Sequence, residues 1–346
     1  MPSPFTHDNP PQRVVFAPGA VSQIGEEAAR LKFQRALVIA TPGSGERLGA
    51  RIVEELGARA AGLHAQAVIH VPVAVAAAGV EAARVANADG LVAAGGGSAI
   101  GLAKAIARAT GLATIAVPTT YSGSEVTAVL GTTDGDRKVT VRDERVRART
   151  IIYDPDLTLG LPPAVTAASG MNALAHCVEA LWVEGRSPVT EAVAVEAVRR
   201  FANNLPRAVK DGRDRHARCE CLAAAWLAGL SLSSGSALHH KLAHVLGGYG
   251  LPHAETHAIL LPHTTRFNLA AAALARARLA DALRASDPAA AIAVMLAAFP
   301  IPQRLRDVGL DEKRIGDAAN EVAALAIAVP RPVSAEDARA ILAAAY

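Results

Sequence analysis

Six of the eleven histidines in this 346-residue chain fall in one stretch, "HHKLAHVLGGYGLPHAETHAILLPH", as His239, His240, His244, His253, His257 and His263. If Ala237–Leu246 is helical, His240 and His244 leave it on one face, and the glycines that follow let His253 fold back towards them. A single histidine on an apolar helix is most often a hydrogen-bonded core residue. Six so close together predict a functional cluster that handles protons or a metal ion. Upstream, "SGMNALAHCVEA" sets Asn172 and His176 four residues apart in a helical pattern. An Asp and a His at that spacing would be half of a divalent-ion site, because carboxylate and imidazole both donate to such an ion. Here the carboxylate is an amide. "HHKLAH" also lacks the glutamate after the first histidine of HExxH, which argues against a metalloprotease.

A second chemistry is written in "GGGS", Gly95, Gly96, Gly97 and Ser98, where an apolar run gives way to an Ala-rich one. Glycines at a strand-to-helix junction allow a pyrophosphate to approach the backbone, and the amides and positive dipole end of the helix receive it. The spacing is not GxGxxG, and a tight turn is the plainer reading. A second loop, "PTTYSGSE", adds the hydroxyls of Thr119, Thr120, Tyr121, Ser122 and Ser124 at the end of the next apolar run. Both loops would lie at the carboxyl edge of one sheet, where open α/β sheets bind their ligands.

The elements that must position these residues follow from periodicity. The pattern predicts strands at Arg35–Ala40 and Gln66–Val71, helices at Gly45–Leu56 and Val73–Val85, a strand running into Gly95, a helix from near Ser98 and a strand through "ATIAVP". Such alternation is the signature of a parallel, Rossmann-like sheet with crossover helices. Asp134-Gly135 between two β-rich runs predicts a hairpin. Beyond "DLTLGLPP" the strand signals fade, so we expect an α/β dinucleotide-binding domain over 1–161 and an all-α domain carrying the histidines over 162–346.

Composition bounds the partners. Apolar residues make up 51% and aromatics 3%, which suits small aliphatic side chains packed against parallel strands. The net charge is +3, with 35 basic and 32 acidic residues interspersed, which is too small and too evenly spread to suggest a nucleic-acid groove. Cys177, Cys219 and Cys221 are too few for a disulfide framework. No apolar stretch reaches the ~20 residues that span a bilayer, and "MPSPFTHDNPPQR" lacks the basic run followed by an apolar run that a signal peptide would show. A soluble cytoplasmic protein with a small-molecule partner is expected.

Taken in order, "GGGSAIGLAKAIA", "VPTTYSGSEVTAVLGTTDGDRKVTVRD", "IIYDPDLTLGLP", "SGMNALAHCVEAL" and "HHKLAHVLGGYGLPHAETHAILLPH" resemble the iron-dependent alcohol dehydrogenase superfamily. "PTTYSGSE" followed by "GTTDGDRK", together with "GMNA" in place of "GMDA", resembles its maleylacetate reductase branch. The resemblance implies NADH or NADPH held between an α/β and a helical domain, by Gly95, Gly96, Gly97, Ser98, Thr119, Thr120 and Ser122. Thr41, Pro42 and Lys138 join these cofactor contacts, and His244 lies near the nicotinamide. The Asp and three His that ligate iron or zinc in the alcohol dehydrogenases correspond to Asn172, His176, His240 and His253.

Three departures matter. Asn172 withdraws a negative charge from the ion. Gly101 stands where many relatives carry Asp, and "IATPGSG" ends its strand in Thr41 and Pro42, without an acid for the ribose 2′-hydroxyl. The resemblance with these departures implies reduction of the maleylacetate double bond to 3-oxoadipate in aromatic catabolism, no required metal, and use of either NADH or NADPH. Catalytic roles fall to His244 and His253, with His240, His176 and Asn172 shaping the pocket and Tyr121 as a neutral donor. The substrate is a small dicarboxylate, so Lys241, Arg137, Lys138, Arg142 and Arg266 are its candidate cations. A homodimer is expected. A metal-dependent alcohol dehydrogenase that tolerates Asn172, and a lyase like dehydroquinate synthase, are the alternatives.

Overall fold

The computed structural model describes residues 5–8, 10–134, 137–232 and 235–346; for Arg137 and Lys138 it describes the backbone alone. The chain divides into two compact units, Asn9–Gly160 and Leu161–Tyr346 with the first residues of the chain.

In the first unit, strands β1 (Arg13–Phe16), β2 (Ala36–Ile39), β3 (Ala60–His64), β4 (Gly90–Gly95), β5 (Ala113–Pro118) and β8 (Thr150–Tyr153) form one six-stranded sheet, in the order β1-β8-β5-β4-β2-β3. Every pairing in it is parallel. Helices α1 (Ile24–Arg30), α2 (Ser44–Leu56), α3 (Val73–Val85) and α4 (Gly97–Thr110) make the crossovers. Side chains alternate along each strand, and the two faces therefore go to two cores. Leu37, Ile39, Leu91 and Ala93 pack with Ala83 of α3 and Leu102 and Ile106 of α4. Ala36, Val38, Val92 and Ala94 pack with Ile24 of α1 and Ile52 of α2. This is the doubly wound arrangement that the alternating strand and helix signals predicted.

The strand expected at Gln66–Val71 is instead a loop, and the edge strand is β3. Its sequence "AAGLH" has none of the β-branched residues that announce a strand, whereas "AVIHV" has them without a ladder to join. The β2 edge runs only a little further: Ala40 donates to the His64 carbonyl at 3.1 Å, and Ala67 donates to that of Ala40 at 3.0 Å. The chain then turns away through His70 and Val71, both at positive φ (63° and 45°), leaving Ile69 70% exposed. The hairpin expected around Asp134 is present as antiparallel β6 (Val129–Asp134) and β7 (Arg137–Arg142), with Asp134 opposite Arg137. The expected turn residue Gly135 lies outside the described residues.

The second unit contains α5 (Pro163–Ala180), α6 (Pro188–Lys210), α7 (Arg215–Leu232), α8 (Leu238–Gly248), α9 (His253–Leu269), α10 (Ala273–Leu283), α11 (Pro288–Ala297), α12 (Ile315–Ala324) and α13 (Ala335–Ala345). Helix α5 is buried from Thr166 to Ala180 without interruption, its polar Asn172, His176 and Glu179 included. Gly170 makes this possible on the α6 side, since a Cβ there would lie 2.5 Å from Leu205 Cδ1. Buried Arg218 of α7 ties down the start of α5 through the Thr166 hydroxyl (2.8 Å) and the Leu161 carbonyl (3.1 Å). Leu242 and Leu246 of α8, Ile259 and Leu260 of α9, Val322 of α12 and Leu342 of α13 share one core. Among the described residues no helix is long and apolar enough to cross a membrane.

Candidate active site

Three adjacent strands bring the expected cofactor residues to one edge of the sheet. Strand β2 lies between β3 and β4, and the crossover from β2 runs outward to β3 while that from β4 runs the other way to β5. The β2/β4 junction is therefore a topological switch point, where an open sheet leaves a crevice at its carboxyl ends. Thr41 and Pro42 follow β2, Gly95–Ser98 join β4 to α4, and Thr119, Thr120 and Ser122 follow β5.

The glycines have separate tasks. Gly95 takes φ +143°, which L side chains rarely adopt, and its carbonyl accepts the Thr119 N–H at 3.2 Å. A Cβ on Gly96 would come within 2.9 Å of Thr120 Cγ2, whereas one on Gly97 would meet nothing within 4 Å. The turn thus packs against the hydroxyl loop on one side and is open on the other, at the first residue of a 14-residue helix. Backbone N–H groups in that setting fit a pyrophosphate.

Three of the residues singled out in the sequence face elsewhere. Gly101 faces the interior: a Cβ there would lie 2.7 Å from Val71 Cγ2, so its small size serves packing on the loop that replaced the predicted strand. Tyr121 is fully buried while Thr119, Thr120 and Ser122 around it stay half-exposed, so its ring packs inward and its hydroxyl is not displayed with theirs. Arg266 sits some three and a half turns along α9 from His253, about 20 Å at helical rise. It lines a separate surface hollow with Arg276 and Asp287. The side chains of Arg137 and Lys138 lie outside the described residues. Arg142 is exposed on β7, and Lys241 is half-buried on α8 between His240 and His244.

In the helical unit, α5, α8 and α9 bring six histidines together with one acid. The turn after α8 returns the chain, so the His253 ring at the start of α9 stacks 6.4 Å from that of His244. His240 and His244 share a helix face with ring centroids 6.3 Å apart, and the His176 and His240 rings stack at 4.7 Å. His257, one turn after His253, lies 4.5 Å from it and 4.8 Å from His240. His263 has no part in these contacts. The cluster has two layers, with His176, His239, His240 and His257 buried and His244 and His253 half-buried.

Sequence reasoning missed the group that organises the inner layer, Glu179, although its i+3 spacing from His176 on a helical pattern was a readable signal. Glu179 is 1% exposed. Its Oε1 accepts the His239 backbone N–H at 2.6 Å, and its Oε2 accepts from His240 Nδ1. Burial alone would raise its pKa, but the imidazoles of His240 and His239 hold the carboxyl at about 2. The other nitrogen of His240, Nε2, lies 2.6 Å from His176 Nδ1, which extends the chain to Glu179–His240–His176.

A second chain runs beside it. The Thr264 hydroxyl donates to backbone carbonyls of α9, at 3.1 Å from the Leu260 oxygen, so it accepts from His239 Nδ1 at 2.9 Å. His239 Nε2 then accepts from His257 Nδ1 at 2.8 Å, and His257 Nε2 is left as an acceptor, buried and without a partner. Burial pushes His239 down to about 3 and His257 well below the usual histidine range, so both are neutral.

The residues that correspond to metal ligands do not fit a divalent ion as arranged. Two imidazole nitrogens on a tetrahedral zinc stand about 3.3 Å apart, given Zn–N near 2.0 Å. Those of His176 and His240 are 2.6 Å apart and share a proton instead. Asn172 Oδ1 is buried without a hydrogen-bond partner and carries no charge to offset an ion's. Among the described residues no three His, Cys, Asp or Glu side chains converge as a metal site.

Similarity to known proteins extends over the whole chain. The family model for iron-containing alcohol dehydrogenase matches residues 11–155, and that for the C-terminal part of the Fe-containing alcohol dehydrogenase family matches residues 166–346. Maleylacetate reductase 2 of Cupriavidus pinatubonensis is 47% identical over 341 residues, covering 97% of this chain and 95% of the relative. The crystal structure of maleylacetate reductase from Agrobacterium tumefaciens superposes with a TM-score of 0.95 at 41% identity, covering 99% and 98% of the two chains. The corresponding enzyme from Rhizobium sp. strain MTP-10005 gives 0.94 at 40%, with the same coverage.

Proposed function

Because the chain belongs to the iron-containing alcohol dehydrogenase family, we propose that it reduces the carbon–carbon double bond of maleylacetate to give 3-oxoadipate, with NADH or NADPH as reductant and without a required metal ion. The observation that carries this reading is Asn172, an amide among imidazoles that are hydrogen-bonded to one another, in a chain 47% identical to a maleylacetate reductase.

Bound NADH or NADPH supplies a hydride to the alkene carbon β to the substrate ketone. Negative charge then collects on the ketone oxygen as an enolate, and the α carbon requires a proton. What the protein must provide is a donor aimed at that oxygen and an acid for that carbon. An alcohol dehydrogenase instead stabilises an alkoxide, a more basic oxygen that gains more from a Lewis acid. The less basic enolate is within reach of N–H donors. His244 and His253 stand outermost in the cluster and are assigned these roles; His176 and His240, tied to Glu179, line the pocket behind them. Gly95–Ser98, Thr119, Thr120 and Ser122 bind the dinucleotide, and Lys241 is the cation on the histidine helices suited to a substrate carboxylate.

The deciding experiment follows NADH absorbance after addition of maleylacetate, before and after prolonged treatment with a chelator. The expected result is consumption of one NADH per maleylacetate, with kcat changed less than about twofold by the chelator, well below the loss expected on removing a catalytic Lewis acid. Glu179 behind His240 is also the pattern that orients a metal-ligating histidine, which is the observation favouring a metal-dependent alcohol dehydrogenase. Activity lost to the chelator and restored by about one equivalent of a single metal would establish that second reading. With no acid after β2 to bind the 2′-hydroxyl or repel a 2′-phosphate, kcat/KM for NADPH should lie within about tenfold of that for NADH. A steeper preference, measured in the same assay, would remove the inference from Thr41 and Pro42.

A further inference from the structure

Lys104 of α4 is 3% exposed, yet it carries an ammonium group, and the hydride transfer and proton donation described above make no use of it. It is fully engaged: Nζ donates to the Ser124 carbonyl at 2.6 Å, the Val129 carbonyl at 2.8 Å and the Thr127 hydroxyl at 3.1 Å. Ser124 and Thr127 belong to the second half of the loop that starts with Thr119, Thr120 and Ser122, and Val129 opens β6 directly after it. The first half of that loop is held by the glycine turn at the start of the same helix, through the Thr119 N–H on the Gly95 carbonyl and the packing of Thr120 on Gly96. Directly after Ser124 comes Glu125, fully buried, which accepts from the Tyr153 hydroxyl at 2.6 Å. Burial lowers Lys104 to about 7, opposed by the attraction of Glu125. A methionine or leucine would fill this space without the cost of burying an amine, so the hydrogen bonds of Nζ to the loop have a use beyond packing.

We infer that Lys104 is a positioning residue for the cofactor: it fastens the far end of the Thr119–Val129 loop to the helix whose N-terminus receives the pyrophosphate, and so preorganises Thr119, Thr120 and Ser122. The inference rests on the proposed binding of a dinucleotide by that loop. Its energetic consequence belongs to binding, since a loop already fixed in its bound form pays less ordering entropy when the ligand arrives.

The test is Lys104→Met in the full-length protein, with NADH as the probe. The expected result is a rise of about tenfold or more in both Kd and KM for NADH, with kcat at saturating NADH within about threefold of the parent. Hydrogen exchange measured without cofactor should quicken across residues 119–129 and stay unchanged in α5, α8 and α9. Should Lys104→Met not fold, Thr127→Val removes one acceptor at nearly constant volume and should give the same split at about threefold in Kd. A folded variant with parental loop exchange overturns the role of Lys104. Faster loop exchange with parental NADH affinity overturns instead the placement of the cofactor on this loop, and a fall in kcat at constant KM overturns the positioning role.

Discussion

Replacing His253 with alanine should lower kcat for maleylacetate reduction by about 10²-fold or more, the scale on which general acid catalysis contributes, with NADH affinity within about threefold of the parent. His244→Ala should cause a similar loss in kcat together with a weaker hold on NADH, because its expected place is beside the nicotinamide. Access and protonation single out these two rings. His239 and His257 are fully buried and kept neutral by that burial, so neither can bring a proton to the reaction. His176 and His240 are tied to each other and to Glu179. The half-buried rings of His244 and His253, stacked 6.4 Å apart, are the least buried of the cluster and the ones assigned to the substrate. Backing them with buried imidazoles fixes their positions before the enolate forms, which is the condition under which a donor stabilises developing charge most. Steady-state kinetics at saturating NADH, with circular dichroism to show that each variant is folded, measure the effect. Normal turnover in both variants would remove the assignment.

Local signals carried the architecture wherever composition and pairing agreed. The runs forming β2, β4 and β5 are short, apolar and bounded by glycine or proline, and the helix expected at Val73–Val85 is observed with those bounds. The edge strand β3 was illegible because "AAGLH" owes its conformation to the ladder with β2 rather than to its own side chains. The return of His253 towards His244 was legible in "GGYG", since glycines near a helix end allow the turn. The inner layer was not. That His239 meets His257, and His240 meets Glu179, depends on how α5, α8 and α9 cross, and no periodicity within one helix encodes a crossing. Lys104 misleads for a related reason. In "GLAKAIA" it reads as a solvated charge, but α4 is buried along most of its length and the charge goes to a loop 20 residues or more away in sequence.

Glu179→Gln should lower kcat by about 10²-fold or more while leaving the protein folded. The precedent for the magnitude is the carboxylate behind the histidine of the serine-protease triad, whose change to an amide costs about 10⁴ in kcat by enforcing the wrong tautomer. The geometry requires a similar reversal here. Glu179 accepts from the His239 backbone N–H at one carboxylate oxygen and from His240 Nδ1 at the other. A glutamine keeps one acceptor oxygen, which the immovable backbone N–H of His239 takes, and turns its NH₂ towards His240. The Nδ1 of His240 must then accept, its proton moves to Nε2, and the contact with His176 Nδ1 reverses direction. The variant also loses the one negative charge that would stabilise an imidazolium in this layer. Both groups on Glu179 keep a partner, so stability should fall far less than with Glu179→Leu, which leaves the His239 N–H and His240 Nδ1 unpaired in the interior at a cost of about 1–3 kcal/mol each. Thermal unfolding of the two variants separates the structural share from the catalytic one. If instead the carboxylate served to orient a ligand of a bound ion, Glu179→Gln would show a 10- to 100-fold weaker hold on that ion, the usual effect of removing such a partner. Elemental analysis of parent and variant, set beside their turnover, therefore decides whether this acid works through protons or through a metal.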